Sequence, residues 1–190
     1  MVKQVYSYYN RNKTREAMDF KYCPNCQTKM ILKESGGQER PTCTACGFIQ
    51  FQNPLPTVCV AILDRDHILL GKRAEPPGEG QWAIPSGYIE FDDDFISTAI
   101  QEAKEETGLD VEIQSIFNVI SSFYSPKYHF LVIYVIAQVV GGEFQAGDDM
   151  SEIAWFPIRG PLPELAFKED IDTIQAFANQ REHVILIREP

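Results

Sequence analysis

The sequence predicts an α/β protein: a mixed sheet packed between helices, preceded by a small cysteine-bearing unit. Three observations carry that expectation. Downstream of residue 54, apolar runs of strand character are interleaved with two segments of helical period. The first of those helical segments has a start signal, a stop signal and three glutamates at helical spacing. Upstream lie two Cys-x2-Cys pairs. A chain of 190 residues suits one domain of ordinary size plus an appendage, and 44% hydrophobic content is ample for a core.

Residues 1–20 are polar and tyrosine-rich and read as an N-terminal arm. They lack the apolar h-region of a signal peptide, and Glu16 and Asp19 argue against a transit peptide. Residues 21–53 read as a zinc ribbon. Cys23-Pro-Asn-Cys26 and Cys43-Thr-Ala-Cys46 are separated by 16 residues, and tetrahedral Zn²⁺ needs the four thiolates that two such knuckles supply. Ile31–Arg40 between them reads as a hairpin turning at Gly36-Gly37. Two disulfide or redox pairs are the alternative, but nothing in the chain suggests secretion. Zinc here would supply folding energy to a segment too small for its own core. Cys59, inside the apolar run Val58–Ile62, reads as a core residue.

Pro54 and Pro56 mark the linker into residues 54–190. Strands are expected at 57–63 and 68–72, around the turn Asp64-Arg65-Asp66. Pro76-Pro77-Gly78 opens a loop that runs to Trp82-Ala83-Ile84-Pro85-Ser86-Gly87. After the acidic helix come strands at 111–119, 130–140 and 153–156. A closing helix at 171–181 carries Ile171, Ile174, Ala176 and Phe177 as its apolar residues, and 183–188 is an extended tail.

No run approaches the ~20 apolar residues of a membrane helix, so the chain reads as a cytoplasmic protein with no membrane partner. A formal charge of −10 argues against a protein that coats nucleic acid. From Tyr22 to Gly47 Lys29, Lys33 and Arg40 face Glu34 and Glu39, which is 3 − 2 = +1 and no footprint for RNA. An anionic substrate would need cations, or locally placed Arg and Lys, to approach.

The segment Gly87–Leu109 is the most informative. Glu102, Glu105 and Glu106 stand at i, i+3 and i+4, so they share a helix face with Cβ atoms roughly 5–6 Å apart. Like charges at that spacing destabilise a bare helix, whereas a hard divalent cation takes several carboxylates at once. The opposite face is expected to carry Phe95, Ile96, Ala99, Ile100 and Ala103 as the core stripe. Asp92, Asp93 and Asp94 supply an N-cap and first-turn negative charge, and Gly108 stops the helix.

These residues resemble the Nudix box, Gly-x5-Glu-x7-Arg-Glu-U-x-Glu-Glu-x-Gly-U with U apolar. Gly87, Glu102, Ala103, Glu105, Glu106, Gly108 and Leu109 fall in register, while the glutamate is Asp93 and the arginine is Gln101. In the family those two commonly brace the loop against the helix, so Asp93 with Gln101 implies a loosened strut. Gln52-Asn53-Pro54, Gly71–Pro76, Trp82–Glu90 and Pro163-Glu164-Leu165-Ala166-Phe167 resemble the zinc-ribbon branch. The likeness runs from about Tyr22 to Phe177 by eye. NADH pyrophosphatases carry Ser-Gln-Pro-Trp-Pro-Phe-Pro after the box; here Ser121-Ser122-Phe123-Tyr124-Ser125-Pro126-Lys127 does not match. The ribbon-bearing FAD and ADP-ribose pyrophosphatases match the flanks better, and Pro126 stands close to where ADP-ribose-cleaving relatives carry a proline.

The resemblance implies a Nudix-type mixed sheet between helices and Mg²⁺-dependent (or Mn²⁺-dependent) hydrolysis of a nucleoside diphosphate-linked compound such as ADP-ribose or FAD. It implies Glu102, Glu105 and Glu106 as metal ligands and catalytic residues, with the Ser86 carbonyl and Glu90 as further metal contacts. A base would come from Glu105, Glu106 or the loop Gly147–Glu152, where Asp149 stands in the place of a family glutamate. Asp148-Asp149 also reads as a plain turn. Candidate substrate contacts are Arg73, through a phosphate fork, Trp82, through stacking, and Tyr124. Arg73 also reads as a strand-end arginine, and Trp82 as core. Two other classes stand beside the hydrolase of small dinucleotides. One is a catalytically weak nucleotide sensor, favoured by Asp93 and Gln101. The other is an NADH pyrophosphatase or RNA-decapping enzyme. Homodimers are common among relatives, and the ribbon or arm would contribute to one.

Overall fold

The computed structural model describes residues 20–125, 128–179 and 185–186. The N-terminal arm up to residue 19 and the Pro126 position lie outside the described residues. The chain falls into two compact units, one of residues 1–55 and 123–129, the other of 56–122 and 130–190.

In the first unit the hairpin β1 (Ile31–Ser35) and β2 (Gln38–Thr42) pairs antiparallel, from Ile31 opposite Thr42 to Ser35 opposite Gln38. Gly36 and Gly37 make the turn with φ of 61° and 78°, a region that glycine enters without a Cβ penalty. Two knuckles of matching design flank the hairpin. Gln27 N–H donates to Cys23 O and Gly47 N–H to Cys43 O, while Cys23 and Cys43 N–H reach Thr28 and Phe48 O. The residue after each second cysteine, Gln27 or Gly47, is left-handed. Cys23, Met30 and Cys43 are buried, with Phe20 and Phe48 against them.

Among the described residues the second unit is an eight-stranded sheet with a helix on each face. Its strands are β3 (Leu55–Asp64), β4 (His67–Arg73), β5 (Trp82–Ala83), β6 (Ser86–Tyr88), β7 (Leu109–Phe123), β8 (His129–Gly142), β9 (Met150–Pro157) and β10 (Ile185–Leu186). The order is β10-β7-β8-β3-β4-β5, with β6 on β3 and β9 on β4. Its helices are α1 (Phe95–Thr107) and α2 (Lys168–Asn179).

Strand alternation divides the core in two, because successive residues of a strand point to opposite faces. Val58, Val60, Ile62, Leu69, Val135, Ala137 and Ile153 join Ala99 and Ala103 of α1 in one cluster. Cys59, Ala61, Ile68, Leu70, Val132 and Tyr134 join Ile174 of α2 in the other. Burial on both faces explains why β3 reads as a continuous apolar run. Cys59 packs in the core as expected, and its burial raises the thiol well above its usual range.

The observed elements are longer than the expected ones at most ends, and two were not anticipated. The stretch 82–88, not anticipated as strand, contains β5 and β6, which are too short for a periodic signal. The second helix begins at Lys168 rather than Ile171, because its first turn, Lys168-Glu169-Asp170, is charged and masks the pattern. Among the described residues no helix is long and apolar enough to cross a membrane.

Candidate active site and zinc-binding cluster

α1 starts where Asp94 caps it. The Asp94 carboxylate accepts from Ile96 N (2.9 Å) and Ser97 N (3.1 Å), and these bonds with the Ser97 hydroxyl hold its pKa low. The helix stops at left-handed Gly108, φ 70°. Its buried residues are Thr98, Ala99, Ala103, Glu106 and Thr107. This corrects the expected faces. Ile100 is 41% exposed, whereas Glu106 is 2% exposed. The reason is angular: Glu106 follows Ala99 by seven residues, nearly two full turns, so it lies in the row of Ala99 against the sheet. The two alanines let the helix approach closely, and the larger Ile100 is turned out.

The three glutamates are consequently three different groups. Glu106 is buried, and its Oε2 accepts the Ser86 N–H at 3.1 Å. Burial, then the charges of Asp149 and Glu102, push its carboxyl up to about 9. Glu102 is half-buried, and burial with repulsion from Glu105, Asp148 and Asp149 raises it to about 7. Its carboxylate lies against the backbone of Gly87, where an added Cβ would stand 1.8 Å from Oε1. Glu105 is exposed and accepts from Gln101 Nε2 at 2.9 Å. Gln101 thus spends its amide on a glutamate of its own helix. Asp93 is exposed, and its N–H donates to Glu90 O at 3.2 Å.

The end of α1 also delivers the acidic loop. Its last carbonyls lack intrahelical donors, and the incoming chain provides them. Glu143 N donates to Gly108 O (3.0 Å), Gln145 N to Thr107 O (3.1 Å) and Gly147 N to Glu106 O (3.1 Å). Gly147 is needed there, since a Cβ would meet Glu105 O at 2.4 Å. This zipper carries Asp148 and Asp149 to the glutamates. Asp149 Oδ1 is buried and, among the described residues, has no hydrogen-bond partner.

Arg73 holds the other Asp149 oxygen. A register shift between Lys72 and Arg73 sets Arg73 opposite Met150. Its guanidinium is 3.5 Å from Asp149 Oδ2 and 5.6 Å from the Phe167 ring centroid, while Nε donates to Pro77 O at 2.6 Å. Ala74 N–H also takes the Asp149 carbonyl at 2.7 Å. Trp82 meets Phe156 edge to face at 4.9 Å, with Lys72 Nζ 5.9 Å from its ring centroid. Glu90 is exposed between β6 and α1, and Ser86 presents its N–H to Glu106. Tyr124, about half exposed, belongs to the first unit rather than to the unit that carries the glutamates.

The charge of Asp149 acts on both Glu102 and Glu106, whose carboxyls are raised chiefly by burial, and one buried Asp149 oxygen has no hydrogen-bond partner among the described residues. Oxygen donors of this kind suit a hard divalent cation, but among the described residues only the four cysteines bring three or more candidate ligand atoms within 4.8 Å of one another, so the carboxylates would have to draw together on the ion. One buried carboxylate outside this set was invisible in the sequence. Asp170 of α2, 2% exposed, accepts from Ile84 N (3.1 Å) and the Tyr134 hydroxyl (2.9 Å). Burial raises its carboxyl to about 6. A charged residue in a charged helical turn carries no local sign that it will be buried.

In the first unit the Sγ atoms of Cys23, Cys26, Cys43 and Cys46 all lie within 4.8 Å of one another. The pairs Cys23–Cys46 and Cys26–Cys43 are 3.5 Å apart. Tetrahedral Zn–S bonds of about 2.3 Å would put sulfurs about 3.8 Å apart, so the cluster is compatible with a zinc ribbon. The expected result is one equivalent of zinc per purified chain, lost in Cys43→Ser together with the ordered amide signals of the hairpin. Full hairpin order in a zinc-free chain would contradict it.

Comparison with known proteins agrees with this geometry. The family model described as NUDIX domain matches residues 53–177. An ADP-ribose pyrophosphatase from Methanocaldococcus jannaschii is 39% identical over 118 residues, which are 60% of this chain and 69% of that protein. The NAD-capped RNA hydrolase NudC of Vibrio atlanticus is 25% identical over 150 residues, 77% of this chain but 52% of that protein. This chain therefore spans about half the length of that hydrolase. A crystal structure of a NUDIX hydrolase from Nitrosomonas europaea superposes with a TM-score of 0.75 at 27% identity, covering 85% of this chain and 92% of that one. The capped acidic helix, its glycine cradle and the matched span together place this chain in the NUDIX family of hydrolases.

Proposed function

We propose that the chain hydrolyses the diphosphate bond of a nucleoside diphosphate-linked compound, ADP-ribose foremost and FAD next, releasing two phosphomonoesters. The observation that carries this reading is that Glu102, packed against the Gly87 backbone, and Glu106 both lie within reach of the charge of Asp149, which comes from a separate segment. The relative named ADP-ribose pyrophosphatase supports the substrate class. Glu102, Glu106 and Asp149, with Glu105 at the exposed edge, are the residues that would hold Mg²⁺ or Mn²⁺. Such a cation neutralises the diphosphate and acidifies a bound water. The chain's own contribution is placement. Ser86 N–H orients Glu106, Gly87 makes room for Glu102, and Arg73 steadies Asp149. Glu105 or Asp149 would accept the proton of the attacking water. Arg73 is so fully engaged by Pro77, Phe167 and Asp149 that steadying the loop is the better reading of its role than a phosphate fork.

NAD-linked substrates are the second reading, because the likeness to NAD-capped RNA hydrolases extends over 150 residues. Incubating the protein with Mg²⁺ or Mn²⁺ and ADP-ribose, FAD, NADH or Ap4A, then separating the products, tests both. AMP from ADP-ribose that vanishes in Glu106→Gln is the expected result. Preferential cleavage of NADH or a 5′-NAD-capped RNA would move the assignment to the second reading. Tight nucleotide binding without turnover under either metal would make the chain a sensor.

A further inference from the structure

Among the described residues one buried carboxylate is not used by the proposed chemistry. Asp170 sits in the first turn of α2, on the sheet face opposite α1. Burying an ionisable group is costly unless its hydrogen bonds are satisfied, and an apolar residue would fill the space at less cost. Both Asp170 oxygens are taken: Oδ2 by the Ile84 N–H at 3.1 Å, Oδ1 by the Tyr134 hydroxyl at 2.9 Å. Ile84 is 1% exposed, and Pro85 beside it is also buried and has a restricted φ. The Pro85 carbonyl accepts from Val60 N at 2.8 Å, and Ser86 N–H then reaches Glu106 Oε2 at 3.1 Å. Three successive residues are therefore held from three elements: α2 at Ile84, β3 at Pro85 and α1 at Ser86. The strand that follows carries Gly87 against Glu102.

We propose that Asp170 is a positioning residue for the metal-binding carboxylates, acting through the Ile84–Pro85–Ser86 backbone to aim the Ser86 N–H at Glu106 and to hold Gly87 under Glu102. It touches neither substrate nor cation. Its work is to fix the far end of a three-residue strut whose near end sets the site. The inference rests on the reading of Glu102 and Glu106 as metal ligands, and its test is arranged so that the two can fail separately.

The first arm needs no activity. Amide hydrogen exchange of the full zinc-loaded chain, without added Mg²⁺, compares wild type with D170A, D170S and D170N. Loss of a buried acceptor at Ile84 is expected to speed exchange at Ile84 and Ser86 by at least about tenfold in D170A and D170S. Amides of Leu69 and Val135 should keep their rates. D170N should restore the wild-type rates, since the Asn carbonyl can take Ile84 N–H while its NH₂ faces the Tyr134 oxygen. D170S is the milder change should D170A not fold. The second arm is kinetic. In D170A or D170S the half-saturating Mg²⁺ concentration for ADP-ribose hydrolysis should rise at least about tenfold, with KM for ADP-ribose at saturating Mg²⁺ unchanged within about twofold. Unchanged Ser86 exchange, equal acceleration at Leu69 and Val135, or loss of the fold in both variants would each overturn the proposal and leave Asp170 a plain core residue. If wild type cleaves no diphosphate, the hydrolase reading falls, and the exchange arm still decides the role of Asp170.

Discussion

Replacing Gly87 by alanine is expected to lower kcat/KM by about 10²-fold or more while leaving the fold intact. The backbone tolerates the change, because no left-handed φ is required at Gly87. The obstacle is the Glu102 carboxylate, whose Oε1 would stand 1.8 Å and Cδ 2.1 Å from the new Cβ. A carboxylate is the far end of a flexible side chain, so it moves aside at little cost to stability. It cannot do so and keep its place, and a displacement of about 1 Å in a reacting constellation costs on the order of 10²-fold. Steady-state kinetics with ADP-ribose, with thermal melting as the folding control, measures it. A double-mutant cycle sharpens the result: in an E102A background, G87A should add almost nothing, since the group it displaces is gone. Full activity in G87A would mean that Glu102 is no part of the site.

Glu106→Gln is expected to abolish turnover and at the same time stabilise the metal-free protein at high pH. The amide is nearly the same shape, and its carbonyl oxygen can still accept the Ser86 N–H. It cannot supply the negative charge, and charge stabilisation by a bound metal is worth several kcal/mol, or more than about 10²-fold. The stability effect follows from burial. Glu106 has its carboxyl raised from 4.5 to about 9, so the folded state prefers the protonated form. Its stabilising contribution is complete below the unfolded value and is lost as pH rises through about 9. Glu102, raised to about 7, behaves alike within a narrower window. Without Mg²⁺, wild type should therefore lose stability relative to E106Q between about pH 5 and pH 9. Saturating Mg²⁺ should remove the difference in wild type and do little for E106Q. Melting temperatures across that range, with and without Mg²⁺, give the comparison; parallel curves for the two proteins would show that Glu106 is not held protonated.

The two expected results point to different kinds of legibility. The stop of α1 could be read to the residue at Gly108, and its start to within Asp92-Asp93-Asp94, of which Asp94 is the cap and none lies in the first turn. The cysteine pairs were readable as well, as knuckle geometry is local. The faces of α1 were misjudged where a large apolar residue, Ile100, was weighed above the seven-residue step from Ala99 to Glu106. That step was present in the sequence and could have been used. β5 and β6 escaped because two- and three-residue strands are made by their partners β4 and β3, not by a period of their own.

The sequence by itself determined the family, the helical spacing of the three glutamates, the four-thiol cluster and the glycine stop of the acidic helix, since caps, turns and knuckle spacings are short-range properties of the chain. Apart from the seven-residue step that sets Glu106 in the row of Ala99, tertiary structure decided how the acids differ. Glu106 is buried, Glu102 rests on Gly87, Glu105 faces solvent, Asp149 arrives by way of the α1 carbonyls, and Asp170 anchors the strut from the far side of the sheet. Desolvation and charge repulsion act through space between segments distant in sequence, so neither the rank of the carboxyl groups nor their support could be read along the chain.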